Sequence, residues 1–219
     1  MFNLKYEVKK INNINGVRDS TIPFLIPTLL KNDNIFYIAK NDSELSNIYN
    51  FLSHNFKDIH IFKIPAWDCL PYDISSPNFS IVSERIKSFS KLCFFKKNKE
   101  KNIFLTTINA LVTKTAPRGF YKKNFISLTN KTEHSLNTLT NFLINTGYKR
   151  VQTVRELCEF SLRGSILDIF PIGYSKAFRI DFFGQTIETI KVMDPLTQRS
   201  SVHVENINIY SSNEYLLSE

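Results

Sequence analysis

The sequence predicts an α/β fold class: a parallel-sheet domain followed by a smaller α+β domain with an antiparallel sheet. Three observations carry this. In the first half, apolar runs alternate with helix-period stripes, the texture of strand–helix crossover units. After Gly147 the period shortens to β-rich runs punctuated by Gly164, Pro171, Gly173, Gly184 and Pro195, as in antiparallel hairpins. The 219 residues are 42% apolar and 13% aromatic, enough to bury one large core or two small ones and unlike a disordered chain. We place the division at residues 1–127 and 128–219.

In the first domain, Ile35 to Ala39 reads as a buried strand. Leu45, Ile48, Tyr49 and Leu52 follow at i, i+3, i+4 and i+7, with Asn41 and Asp42 placed to cap that helix. The unit repeats. Ile59 to Ile64 is a second strand, Val82, Ile86, Phe89 and Cys93 mark a helix behind Ser80, and Ile103 to Leu105 is a third apolar run. Beyond Lys122 and Lys123 and a Thr/Asn-rich stretch, a helix carries Leu136, Leu139, Phe142 and Leu143 on one side, and Gly147 ends it. The remaining strands are Val151 to Val154, Glu159 to Arg163, Ser165 to Phe170, Phe178 to Phe183, Thr186 to Val192 and Val202 to Ile209.

Composition narrows the function. The 28 Lys and Arg against 20 Asp and Glu leave +8, which favours an acidic partner without requiring one. Cys69, Cys93 and Cys158 cannot all pair and have no metal-ligand spacing, so we expect reduced thiols in a cytoplasmic chain. No stretch approaches the roughly 20 apolar residues of a membrane span.

Enzymatic chemistry finds no constellation. A phosphate-binding loop needs several glycines and a Lys followed by Ser or Thr. The segment in the right place, Asn15-Gly16-Val17-Arg18-Asp19-Ser20-Thr21, has one Gly and no such Lys. His54, His60, His134 and His203 are scattered. Asp168, Asp181 and Asp194 lie among strands and turns, where they fix backbone or pair with arginine. We expect no catalytic residue, no metal and no cofactor. Lys96, Lys97, Lys99 and Lys101 form a basic run that is either a solvated loop or a weak nucleic-acid contact, and it lacks the interleaved aromatics on which bases stack.

The sharpest physical signal is Phe178-Arg179-Ile180-Asp181-Phe182-Phe183. Strand alternation puts Phe178, Ile180 and Phe182 on a core face and Arg179, Asp181 and Phe183 on a wet one. An exposed Phe beside an arginine is the composition of an interface hot spot. The residues alone leave open whether Phe183 does this or packs beneath a helix or the following turn. Arg163, just before Gly164, either extends the same patch or pairs with Glu159 or Asp181.

Two blocks resemble a known family. Pro65-Ala66-Trp67-Asp68-Cys69-Leu70-Pro71-Tyr72-Asp73, with Ser76-Pro77 and Ser83-Glu84-Arg85-Ile86, is similar to the P-x-W-x-x-L-P-Y-D, S-P and S-x-R-[LI] pattern of transcription-repair coupling factors (Mfd). Gly147 to Val151, Glu159 to Pro171, Arg179 to Phe183 and Asp194 to Ser200 resemble that family's second domain. The excision-repair protein UvrB shares the fold pair and is the alternative. UvrB-like chains have a full phosphate-binding loop and a long aromatic hairpin after the Tyr-Asp element, both departures from this sequence.

The resemblance implies the N-terminal module of a coupling factor: a helicase-like half without its nucleotide site, then a UvrB-interaction-type domain that docks UvrA through Arg163, Arg179 and Phe183. It also implies that the ATP-dependent motor, the contacts with RNA polymerase and DNA, and a segment completing the first domain lie beyond Glu219. Cys158 stands where the family pattern has Gly. Other readings are a basic DNA-binding accessory module and a nucleotide enzyme on the α/β half.

Overall fold

The computed structural model describes residues 14–30, 34–69, 77–94 and 101–215. Leu70, Pro71, Tyr72, Asp73 and Ser76 of the first motif block, Lys96, Lys97 and Lys99 of the basic run, and Glu219 lie outside the described residues. The chain divides into two compact units, Met1–Trp67 with Lys96–Thr113, and Asp68–Phe95 with Lys114–Glu219. The division read from the sequence cuts the chain once, whereas these units interleave: the helix between the second and third strands is grouped with the later residues.

In the first unit, β1 (Ile35–Ala39), β2 (His60–Ile64) and β3 (Asn102–Thr107) form a parallel sheet in the order β1-β3-β2. A 3₁₀ turn at Asp19–Thr21 leads into α1 (Ile22–Leu29), α2 (Asp42–Asn55) follows β1, and α4 (Ile108–Val112) follows β3. The expected capping is present, with the Asn41 side chain accepting from the Glu44 amide at 2.9 Å. Leu45, Ile48 and Leu52 of α2 are buried with Ile26, Ala39, Ile103 and Leu105. At about 1.5–3 kcal/mol per fully buried side chain, that seam is the main term holding the unit together. The other side of β1 is less covered: Phe36 and Ile38 are 52% and 49% exposed.

The second unit contains α3 (Phe79–Phe94), α5 (Arg118–Lys123) and β4 (Phe125–Thr129), then α6 (Leu136–Asn145). Seven strands follow: β5 (Lys149–Arg150), β6 (Glu159–Arg163), β7 (Ile166–Ile169), β8 (Ala177–Phe183), β9 (Thr186–Met193), β10 (Ser200–His203) and β11 (Asn206–Tyr210). Six of them make one sheet, β10-β9-β8-β7-β6-β5, antiparallel throughout except for the parallel β5–β6 pair. β11 pairs antiparallel with β4. Helix α6 ends as its sequence dictates: Gly147 takes φ 85, its amide reaches Ile144 O at 3.0 Å, and Tyr148 N reaches Leu143 O at 2.9 Å.

Several elements differ from the sequence reading. Val151–Val154 is not a strand; pairing falls on the two residues before it, because the Val151 amide bonds Phe160 O and the chain then turns away. The expected strand Val202–Ile209 is two, belonging to different sheets. β4 and α5 fall in the stretch read as a weak connection, and β4 finds its partner some 80 residues later, a pairing that local periodicity does not carry. Among the described residues no helix is long and apolar enough to cross a membrane.

Candidate docking face

Two tight hairpins build one end of the six-stranded sheet. Gly164 and Gly184 each stand first in a two-residue turn with φ 62, where a side chain would strain the backbone and where type II′ turns place glycine. Phe182 N bonds Ser165 O at 2.9 Å, so the two turns lie side by side. Arg163 therefore ends β6 beside the turn before β7, and Phe183 ends β8 at the same margin.

Register assembles the charges. Ser161, Asp168, Arg179 and Lys191 occupy one cross-strand row, and Arg163, Ile166, Asp181 and Thr189 the next on the same face. The alternation expected of β8 is observed: Phe178, Ile180 and Phe182 are buried, Arg179 and Asp181 are half-buried, and Phe183 is 81% exposed. The ring stands in solvent rather than beneath a turn.

Arg163 and Arg179 converge on one carboxylate. Arg163 Nη2 donates to Asp168 Oδ2 at 2.5 Å; Arg179 Nε donates to Oδ1 at 2.7 Å and its Nη2 to Oδ2 at 2.9 Å. The Asp168 side chain is 1% exposed, Arg179 20% and Arg163 53%. The adjacent carboxylate raises the Arg179 pKa, chiefly through its hydrogen bonds. Arg163 thus pairs with neither Glu159 nor Asp181. Glu159 accepts from the amides of Arg155 and Glu156 at 2.8 and 2.9 Å, and Asp181 accepts from Thr189 at 2.7 Å and Lys191 at 3.3 Å.

Sequence reasoning named the two arginines and the ring, and gave Asp168 as one of three acids that fix backbone or pair with arginine; it did not bring both arginines onto that one acid. The available signal was Asp168 itself, a lone carboxylate inside Ile166-Leu167-Asp168-Ile169, where a buried charge demands a paired donor. A second carboxylate found its arginine far along the chain. Arg85 Nε bonds Glu214 Oε1 at 2.7 Å and Nη2 bonds Oε2 at 3.3 Å, with both side chains 0% exposed.

Elsewhere the other candidates are dispersed. Gly16 has φ 77, and Lys40 at the end of β1 pairs with the Asp19 carboxylate just before α1. Lys101 is exposed at the start of β3. Cys69, Cys93 and Cys158 are free thiols. Cys158 holds φ 63, the left-handed backbone that a glycine adopts at no cost, and burial pushes its thiol up to about 12.

The sheet and its long-range β4–β11 pairing belong to a recognised class: residues 126–215 match the UvrB interaction domain. Over most of its length the chain is also similar to proteins named transcription-repair-coupling factors. It is 31% identical over 189 residues to that of Haemophilus influenzae, covering 84% of this chain and 16% of the relative. The figures are 31% over 197 residues for Rickettsia bellii, with 89% and 17% covered, and 29% over 160 residues for Escherichia coli, with 73% and 14% covered. The chain is therefore homologous to part of the transcription-repair coupling factors and carries a UvrB interaction domain, as the two motif blocks implied. It spans about a sixth of the length of these curated relatives.

Proposed function

We propose that this chain is the N-terminal module of a transcription-repair coupling factor and that it recruits UvrA to RNA polymerase stalled at DNA damage. Residues 128–219 are the docking domain, and Arg163, Arg179 and Phe183 are its partner-binding residues. Residues 1–127 are a helicase-like half without a working phosphate-binding loop, a reading supported by the three parallel strands and by the single glycine before α1. The module hydrolyses no ATP in this reading; the motor and the contacts with RNA polymerase and DNA belong to the parts of the relatives that this chain does not match.

The observation that carries the proposal is Phe183, 81% exposed at the margin of a sheet whose face presents two arginines on one buried acid. A solvated benzyl ring costs hydration free energy that a partner relieves, and guanidinium groups already fixed in place lose less entropy when they dock. The test is binding of purified UvrA to the full chain. Phe183→Ala and the double change Arg163→Ala with Arg179→Ala are each expected to weaken binding by roughly tenfold or more, the scale of hot-spot truncation. Phe183→Ala leaves the fold untouched because the ring buries little. Undiminished binding by both variants would refute the assignment.

A further inference from the structure

Arg163 and Arg179 differ in what they have left to offer. Arg163 spends one Nη2 bond on Asp168 and keeps half its side chain in solvent. Arg179 is engaged at all three nitrogens: Nε and Nη2 on Asp168, Nη2 also 3.4 Å from Met193 Sδ, and Nη1 donating to Gln198 O at 3.3 Å. That last bond ties the sheet to the loop between β9 and β10, Asp194 to Arg199.

The loop is built with care. Asp194 Oδ1 accepts from the Leu196 amide at 2.9 Å and its Oδ2 from Thr197 Oγ1 at 3.0 Å. Gln198 N closes back on Asp194 O at 2.8 Å, and Asp194 N bonds Arg199 O at 3.0 Å. Gln198 holds a left-handed φ of 59, secured by its side-chain amide on Val154 O at 2.9 Å and Pro195 O at 2.7 Å. A loop fixed by this many bonds displays Leu196 at 90% exposure, more than any other large apolar side chain among the described residues. An isolated surface Leu needs no explanation. One held rigid, on a loop bonded to a guanidinium of the docking face, with Arg199 exposed beside it, has the make-up of a preorganised anchor.

We propose that Leu196 is a second apolar anchor of the docking face and that Arg179 is the positioning residue that fastens its loop to the sheet. The inference rests on the UvrA reading above and extends it: the surface that docks has an apolar recess for Leu196 as well as for Phe183, with carboxylates placed for Arg163 and Arg199. Phe183 lies about 13 Å along β8 from Arg179, at 3.3 Å per residue, and the Leu196 loop meets the Arg179 guanidinium through Gln198 O. Both anchors therefore fit within one interface of about 800 Å² per partner.

The experiment titrates the full chain with purified UvrA and compares wild type, Leu196→Asp, Arg179→Lys, their double variant, Phe183→Ala and Ile144→Asp. Ile144, half-exposed on α6, controls for a generic loss of apolar surface. Leu196→Asp is expected to lower affinity about tenfold or more with thermal stability unchanged, while Ile144→Asp stays within about twofold of wild type. Arg179→Lys keeps the charge but loses the fork, and its loss combined with Leu196→Asp is expected to fall well short of additive, because one residue works through the other's loop. If Leu196→Asp binds as wild type while Phe183→Ala does not, this inference fails and the docking reading stands. Full additivity overturns the role given to Arg179, and a wild-type chain that does not bind UvrA removes both.

Discussion

Arg85 and Glu214 meet with both side chains 0% exposed, whereas Arg163 and Arg179, at 53% and 20%, close over an Asp168 side chain that is 1% exposed. The chemistry is the same in both places, guanidinium on carboxylate at 2.5–2.7 Å for the leading bonds, but the solvent is not. At the sealed pair both ions have left water, and burial pushes the Glu214 carboxyl up against the downward pull of Arg85. At the open cluster the acid alone is fully buried, and three charged hydrogen bonds compensate it while the cations stay partly hydrated. A closed pair ties α3 to the segment after β11 and presents neither charge to solvent. The open one holds its guanidinium groups in fixed geometry and leaves half of the Arg163 side chain in solvent, the condition for recognising another molecule.

The largest expected effect breaks the sealed pair. Glu214→Ala takes the carboxylate away from a fully buried guanidinium and should cost about 3–5 kcal/mol of unfolding free energy by urea denaturation. Arg85→Met with Glu214→Leu together should recover most of that loss, since apolar replacement of both ions removes the desolvation penalty. A Glu214→Ala cost below about 1 kcal/mol would show that water reaches the pair. The sign with pH also follows. The folded pKa of Glu214 is raised above its ordinary 4.5, so its contribution is fully present below that value and is lost as pH rises through the folded pKa. Glu214→Gln should flatten that part of the stability–pH curve.

Asp168→Asn probes the open cluster and should cost less, about 2 kcal/mol, the scale of a lost charged hydrogen bond. Arg163 and Arg179 can turn toward water where Arg85 cannot. The same variant should restore stability to Arg163→Ala with Arg179→Ala, in which Asp168 would otherwise be a buried acid without a donor. A cost equal to that of Glu214→Ala would erase the distinction between the two clusters.

What the sequence made legible follows from how locally each feature is encoded. The alternation through Phe178 to Phe183 sorted buried from exposed residues, because a strand's faces are set by parity alone. Asn41 at the start of α2 and Gly147 at the end of α6 were readable for the same reason: a cap satisfies backbone groups within four residues. Asp168 as a shared acceptor needed the register of three strands, and Glu214 as the partner of Arg85 needed a contact across 129 residues. The central place of β3 between β1 and β2 is likewise a property of closure rather than of period. Leu196 was passed over because an apolar residue in a turn carries no periodic signal. Its meaning lies in the bonds that fix the loop.

The smallest effect is the most discriminating. Arg163→Ala removes a half-exposed cation, and Arg179 still supplies Asp168 with two bonds, so the stability loss should be about 0–1 kcal/mol. Salt should erase it, because the Debye length shrinks from about 10 Å at 0.1 M to about 3 Å at 1 M and the Arg163 guanidinium lies within reach of those ions. The cost of Glu214→Ala should be nearly the same at both salt concentrations, since screening ions do not enter a site from which water is excluded. Measured as two denaturation midpoints per variant, a salt-sensitive Arg163 beside a salt-insensitive Glu214 sharpens the contrast between a pair that serves the fold and a cluster exposed for docking. Equal salt response at the two sites would mean that exposure does not separate them, and the case for a preorganised, solvent-facing arginine would fall with it.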